Sequence, residues 1–310
     1  MKILITGGAG FIGSHLADKL IEQNHKVVIM DNLSTGRKEN LNKKAKFYKI
    51  DINKKEVSTI FKKEKPEIVF HFAAQINVRK SVEDPIEDAK ANILGGLNIL
   101  ENCKKFKVKK VIFSSTGGAI YGDADIIPTP ESYPEYPLSP YGIAKLTTEK
   151  YLNYYNKVFG MPFVALRFAN VYGPRQNSKG EAGVVAIFCD QIFSKKQPII
   201  NGDGLQTRDF VFVADIVNAA TLAIKAEKSG IFNVATAKET NINDIFLIIK
   251  QETGAAFKEV HKPAPKGEQQ RSCLDYSKIK SELNWSPKYD LEQGLKETVA
   301  WFKQKNKVKS

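Results

Sequence analysis

The sequence predicts an α/β fold: a doubly wound parallel sheet followed by a smaller mixed α/β lobe toward the carboxy terminus. Three observations carry that prediction. Short apolar runs alternate with amphipathic stretches long enough to cross over a sheet, and the first apolar run breaks into glycines spaced three apart. The chain, 310 residues with 42% hydrophobic and 26% charged side chains, is also longer than one compact core usually needs.

Strands are expected at 2–6, 26–31, 46–50, 67–71, 109–114 and 162–168, each a β-branched or aromatic run bounded by turn residues. Between them, Ile12 to Gln23 and Ile86 to Phe106 read as crossover helices. After Asn170 the rhythm changes: Gly, Pro and polar loops alternate with short helices, and Pro263, Pro265 and Gly267 mark a late loop. Residues 1–170 are therefore expected to form a Rossmann-type dinucleotide-binding unit. Residues 171–310 form a second lobe, interleaved with the first rather than joined by a linker. No internal repeat or low-complexity segment interrupts this order.

Several function classes drop out on composition. No apolar run approaches the roughly 20 residues that span a bilayer, and the amino terminus is spent on the first strand, so neither a membrane helix nor a signal peptide is expected. The three cysteines, Cys103, Cys189 and Cys273, lack metal-type spacing, and there are only four histidines. No metal site is expected, and a reducing, cytoplasmic compartment is. The net charge of +13 arises largely from lysine runs such as Lys104, Lys105, Lys107, Lys109 and Lys110. These read as solvated faces, so no nucleic-acid partner is expected.

The glycine run carries the first chemistry. Gly7, Gly10 and Gly13 follow the strand Lys2-Ile3-Leu4-Ile5-Thr6 and allow a tight turn, close approach of backbone to a pyrophosphate, and close packing of the next helix. Asp31, eighteen residues past Gly13 at the end of the second strand, is placed to accept from adenosine ribose hydroxyls. Its charge would repel a 2′-phosphate, so NAD is expected rather than NADP. Asp51 and Ile52 after the third strand, and Phe72-Ala73-Ala74-Gln75 after the fourth, continue the same edge.

Tyr141 and Lys145 lie four apart, on one face of a helix. A free tyrosine titrates near about pH 10; the neighbouring ammonium and a cationic nicotinamide ring would both favour phenolate. Tyr141 could then take a proton from a substrate hydroxyl as hydride leaves the same carbon. Upstream, Ser114-Ser115-Thr116 closes a strand and offers hydroxyls to orient that oxygen.

With these residues in place, the chain resembles the extended short-chain dehydrogenase/reductases, within the NAD-dependent epimerase/dehydratase group, and is most similar there to the UDP-glucose 4-epimerases. The resemblance runs from Thr6–Gly13 through Asp31–Gly36, Tyr141–Lys145 and Leu166–Arg175 to Thr207–Val211. It implies that Tyr141 is the base, that Lys145 holds the nicotinamide ribose, and that Thr116 or Ser115 is the hydroxyl partner. The implied NAD contacts are Gly7, Gly10, Phe11, Ile12, Gly13, Asp31, Asn32, Ser34, Gly36, Asp51, Ile52, Phe72, Ala73, Ala74, Gln75, Asn92, Ser114, Tyr141, Lys145 and Phe168. A UDP-sugar would be met by Thr116, Tyr141, Asn170, Arg208, Arg271, Ser272 and Asp275.

The implied reaction is epimerisation at sugar carbon 4 through a 4-keto intermediate, with UDP-glucose/UDP-galactose as the pair. The small Ser272 resembles epimerases that also accept UDP-GlcNAc/UDP-GalNAc. In the late loop Pro265 or Lys266 falls where the family often has arginine. Gly117-Gly118 lacks the acid pair of 4,6-dehydratases. A UDP-glucuronate epimerase or decarboxylase, with Arg79 toward the carboxylate, and a non-catalytic NAD sensor or scaffold are the alternatives. A homodimer is implied through helices containing Asn92 to Phe106 and Tyr141 to Phe159.

Overall fold

A computed structural model describes residues 1–179, 183–264 and 269–307. In chain order the first part contains β1 (Lys2–Thr6), α1 (Phe11–Glu22), β2 (Lys26–Asp31), β3 (Lys46–Lys49), α2 (Val57–Glu64), β4 (Ile68–His71) and α3 (Val78–Glu83). It continues with α4 (Pro85–Ala89), α5 (Gly95–Lys105), β5 (Lys110–Thr116), α6 (Gly117–Ile120), α7 (Pro140–Phe159) and β6 (Phe163–Phe168). The second part begins with β7 (Asn170–Tyr172), α8 (Val184–Phe193), β8 (Ile200–Asn201), β9 (Thr207–Arg208), β10 (Phe210–Phe212) and α9 (Val213–Ala223). Then follow β11 (Gly230–Val234), β12 (Thr240–Asn241), α10 (Ile242–Thr253), β13 (His261–Lys262), β14 (Arg271–Ser272), α11 (Ser277–Leu283) and α12 (Leu291–Lys307).

Seven parallel strands form the main sheet in the order β11-β6-β5-β4-β1-β2-β3. The winding reverses between β1 and β4, which opens a crevice at the carboxyl ends of these strands. All six strands expected from the sequence lie in this sheet, with ends shifted by no more than two residues. The seventh, β11, comes from beyond residue 170, as does α9, which packs against α1. The second part of the chain thus completes the sheet as well as building its own layer.

The strands are buried on both faces, so their side chains divide by alternation. Ile3, Ile5, Phe70 and Ile112 join α1, α9 and Trp285 in one core, while Leu4, Val69, Val111 and Phe113 join α2, α5 and Leu152 of α7 in another. A third core lies among α8, α10 and α12. The crossover helix expected over Ile86 to Phe106 is present as one helical run from Pro85 to Lys105 with a single irregularity. A wide i→i+5 turn over Lys90–Leu94 separates α4 from α5, and Gly95 leaves that turn against the core: a Cβ there would lie 2.6 Å from Ile52 Cδ1.

A buried ion pair fixes α7 to the sheet. Glu149, 0% exposed, faces Arg167 of β6, 1% exposed; Nε reaches Oε1 at 3.0 Å and Nη2 reaches Oε2 at 2.6 Å. Ser115 of β5 donates to the same carboxylate at 2.5 Å. Arg167 also donates to Tyr121 at 2.8 Å and to Glu135 at 2.9 Å. Removing one partner strands a desolvated charge. Glu149→Ala is expected to cost about 3–5 kcal/mol of unfolding free energy, seen as a lower Tm and an earlier urea midpoint; an unchanged midpoint would contradict this account.

Candidate active site

The glycine turn is built as a cradle. Gly7 has φ +73°, and a Cβ there would sit 2.7 Å from Ala73 N; at Gly13 it would sit 2.3 Å from Gly7 O. Gly10 caps α1 without a side chain, and the first turn of that 12-residue helix carries no acid. Its leading N–H groups therefore face the crevice as donors for an anion. Thr6 ties the turn to the neighbouring strand: its hydroxyl accepts from Phe72 N and Ala73 N, both at 3.1 Å. Its proton therefore goes to His71 Nδ1, 2.8 Å away.

Farther along the edge, Asp31 is 7% exposed and accepts from Ala9 N at 3.0 Å and Leu33 N at 2.7 Å. Burial raises its carboxyl above the ordinary value despite those bonds. A Cβ on Gly36 would touch both carboxylate oxygens at 2.9 Å, so glycine there keeps the acid approachable. Asn32 donates to Asp51 at 2.9 Å and accepts from Ser34 N at 2.9 Å, linking three of the expected contacts. These groups fit the pyrophosphate and adenosine ribose of a dinucleotide. Ile52, expected at the adenine, is only 8% exposed and packs in the core under Gly95.

The loop after β4 is clamped from the helix side. Asn92, 5% exposed, accepts from Gln75 N and donates to Gln75 O, each at 2.9 Å. Phe72 packs edge-on against Phe168, so Phe168 reaches this loop through a ring contact. Ala74 lies between these anchored neighbours.

Tyr141 and Lys145 come from the first turns of α7. Ser139 caps that helix by accepting from Gly142 N, and Pro140 occupies its first turn. Gly142 lets α7 approach α6: a Cβ there would be 2.4 Å from Ala119 O. Tyr141 N donates to Ser81 at 3.2 Å. Lys145, 3% exposed, donates from Nζ to Ser114 O at 2.7 Å, with Nζ 4.7 Å from the Phe113 ring centre and 5.9 Å from that of Tyr141. Burial drives this ammonium down to about 7, against the fields of Asp88 and Glu149. His71 is pushed to about 3 by burial and by the Lys145 charge, so its imidazole is neutral.

Strand alternation decides between the two candidate hydroxyls. Ser115, 4% exposed, points to the side of Arg167 and donates its hydroxyl to Glu149, so of the two expected hydroxyls it is the one already engaged within the protein. Ser114 and Thr116 point to the other side, where Ser114 donates to His71 O at 3.4 Å.

The substrate side is organised by a small sheet in the order β12-β9-β14. Ser272 registers with Arg208, and Arg271 with Thr207. Arg208 and Ser272 therefore share one face, and Arg271 and Thr207 the other. There Glu239 takes Arg271 Nε at 2.9 Å and also binds Thr207. Arg271, expected with Arg208 among the UDP-sugar contacts, is instead held by Glu239 on the opposite face. Asp209, 1% exposed, anchors this sheet by accepting from Thr236 N at 2.9 Å and Ala237 N at 3.0 Å. Asp275 accepts from Ser277 N at 2.8 Å and so begins α11.

Gly118 was not singled out for its space. A Cβ there would lie 3.8 Å from Ser272 Oγ and 3.9 Å from Asn170 Oδ1, so these three residues adjoin one another just after Thr116. Asp88, which no motif marks, joins this edge through Gln75 and Asn92. Pro265 and Lys266 lie outside the described residues.

The family model for NAD dependent epimerases/dehydratases matches residues 3–235. Among solved structures, the chain is similar to UDP-glucose 4-epimerase of Thermotoga maritima, solved with UDP-glucose. The TM-score is 0.97 at 50% identity, covering 98% of this chain and 99% of that one. It is similar to UDP-glucose 4-epimerase of Thermus thermophilus in complex with NAD, with a TM-score of 0.93 at 39% identity and coverage of 97% and 99%. It is also similar to UDP-N-acetylglucosamine 4-epimerase from Methanobrevibacter ruminantium M1, solved with UDP-N-acetylmuramic acid. There the TM-score is 0.93 at 37% identity, covering 98% of each chain.

The cradle has a direct consequence. Gly13→Ala should leave the purified protein folded by circular dichroism but without bound dinucleotide in the nucleotide fraction released on denaturation, and wild-type content in the variant would refute the role given to the turn.

Proposed function

This chain belongs to the NAD dependent epimerase/dehydratase family, and from that premise we propose that it is an NAD-dependent isomerase that epimerises a UDP-hexose at sugar carbon 4. The pair UDP-glucose/UDP-galactose is the first assignment. The observation that carries it is the Lys145 ammonium, bonded to Ser114 O near the carboxyl end of β5 and 5.9 Å from the Tyr141 ring centre, on the same sheet as the glycine cradle after β1. Residues 1–170 supply the cofactor contacts and the catalytic pair, and residues 171–310 most of the substrate contacts.

When bound, NAD supplies the oxidation at carbon 4, taking up hydride and giving it back. Gly7, Gly10 and Gly13 with the α1 amino terminus hold its pyrophosphate, and Asp31 its adenosine ribose. Tyr141 takes the proton of the 4-hydroxyl and returns it at the end of the cycle. Thr116 orients the same oxygen. Lys145 stabilises the phenolate of Tyr141 by its charge, in a site where burial strengthens every such interaction. Arg208 and Asn170 anchor the nucleotide diphosphate while the sugar turns over, so the opposite face of carbon 4 is presented for the return step.

Substrate breadth is read from the small side chain of Ser272, which lies beside Gly118. On that residue, and on a UDP-N-acetylglucosamine 4-epimerase among the structural neighbours, UDP-GlcNAc/UDP-GalNAc is assigned as a second pair.

A homodimer is part of this reading. On α7, Ile143, Tyr151, Tyr154 and Val158 form an exposed apolar stripe, with Leu94 exposed on the neighbouring helix. Tyr151, Tyr154 and Val158, three and four residues apart, lie on one face of the helix. All three cysteines are free and buried, which suits a reducing compartment; we place the enzyme in the cytoplasm.

Two experiments test this. HPLC of reactions without added NAD should show UDP-galactose converted to UDP-glucose by the purified protein, and Tyr141→Phe should lower kcat at least about 100-fold with an unchanged Tm. No turnover of any of the four UDP-sugars would sink the assignment. Sedimentation equilibrium should give twice the mass of 34.6 kDa, and Val158→Lys should shift it toward the monomer; a monomeric wild type would remove the dimer.

A further inference from the structure

Two buried carboxylates act on Lys145, and they are not equivalent. Glu149 is matched by Arg167 through two charge-assisted bonds and by the hydroxyl of Ser115. Its charge is already answered. Asp88 of α4 is 2% exposed, and its bonded partners are neutral amides: Oδ1 accepts from Gln75 Nε2 at 2.8 Å and Asn92 Nδ2 at 3.0 Å. Oδ2 is buried with no hydrogen-bond partner among the described residues. A buried carboxylate oxygen left unpaired is costly unless a charge nearby compensates it.

The elements packed around Lys145 identify that charge. α4 and the wide turn pack on α7, where Thr148 donates to Asn92 O at 3.4 Å. The titratable and charged groups facing the ammonium are Asp88 from α4, Glu149 and Tyr141 from α7, the neutral His71 from β4, and Arg167 from β6 behind Glu149. Asp88 and Glu149 both favour the charged lysine, and of the two Glu149 is paired with Arg167 whereas Asp88 Oδ2 has no hydrogen-bond partner among the described residues.

We propose that Asp88 is a positioning residue whose buried carboxylate is the counter-charge of the Lys145 ammonium and keeps it protonated beside Tyr141. This rests on the roles given above to Tyr141 and Lys145. The same carboxylate holds the Gln75 side chain and Asn92, so the lysine's charge and the loop after β4 are set by one group. Asn92 and Gln75 orient Oδ1, which leaves Oδ2 for the ammonium's field.

Asp88→Asn keeps the shape and removes the charge. The first readout needs no turnover: the Lys145 Cε resonance in lysine-13C-labelled holoenzyme, assigned with Lys145→Arg, followed against pH. Its midpoint should fall by about one pH unit in Asp88→Asn. The second is the pH profile of kcat. If the midpoint falls by one unit, kcat should drop about tenfold one pH unit above the wild-type midpoint and less than about twofold one unit below it, because the protonated fraction changes by those factors. Asp88→Glu, which keeps the charge, should restore the wild-type profile. An unmoved Lys145 midpoint, or a loss of kcat equal at all pH values, overturns the proposal. Should Asp88→Asn not fold, Asp88→Ser takes its place with the same readings. A wild type that turns over no UDP-hexose would remove the epimerase reading, while the resonance midpoint would still decide the question of Asp88.

Discussion

The structure is organised around one buried cation. Lys145 sits at the carboxyl edge of the sheet, 3% exposed, with its ammonium on a backbone carbonyl and over the Phe113 ring. Taking such a charge out of water costs several kcal/mol even after relaxation. That cost fixes what may surround it. His71 is held neutral by burial and by the lysine itself, and Thr6 then uses the imidazole as an acceptor, which in turn pins Phe72 and Ala73. The cofactor loop is thus shaped by the same electrostatic demand that shapes the catalytic pair. Arg167 could not share this region as a free cation, and Glu149 together with Glu135 neutralises it.

How much of this was legible in the sequence depends on the range of the interaction. β1 to β6 are read from runs of apolar residues, and the glycine cradle from local spacing, because both signals lie within a few residues of one another. The irregularity between α4 and α5 was not legible: its glycine is set against Ile52, more than forty positions away. Ser115 and Thr116 are adjacent and chemically alike. Only the phase of β5 against β6 separates them, and that phase is a property of the sheet rather than of either residue. Arg271 teaches the same lesson. Its position one residue before Ser272 says nothing about direction until β14 pairs with β9, whose register sends neighbours to opposite faces. Asp88 carries no motif at all; it is defined by Gln75 and Asn92, and by a lysine fifty-seven positions on.

The two sides of the site differ in kind, and the proposed reaction requires that they should. On the cofactor side the ligand-facing groups are backbone donors and buried side chains, each with a second partner: Asp31 on Ala9 and Leu33, Asn92 on Gln75. Groups held twice cannot follow a moving ligand, so this edge anchors. On the sugar side stand Gly118 and Ser272, small residues that adjoin each other and Asn170.

Binding energy that is equal for both epimers, and for the keto sugar between them, does nothing for the chemical step except hold the molecule in place. A wall fitted closely to one hexose would favour that hexose and oppose the turn that exposes the second face. Small side chains at Gly118 and Ser272 avoid this by giving little to either orientation, leaving retention to the nucleotide and to Arg208. The fixed lysine and the small residues of the sugar side are then two halves of one requirement. The proton-transfer group must stay where it is while the carbon it serves presents first one face and then the other, so rigidity belongs to α7 and the sheet edge, and freedom to the side of Gly118 and Ser272.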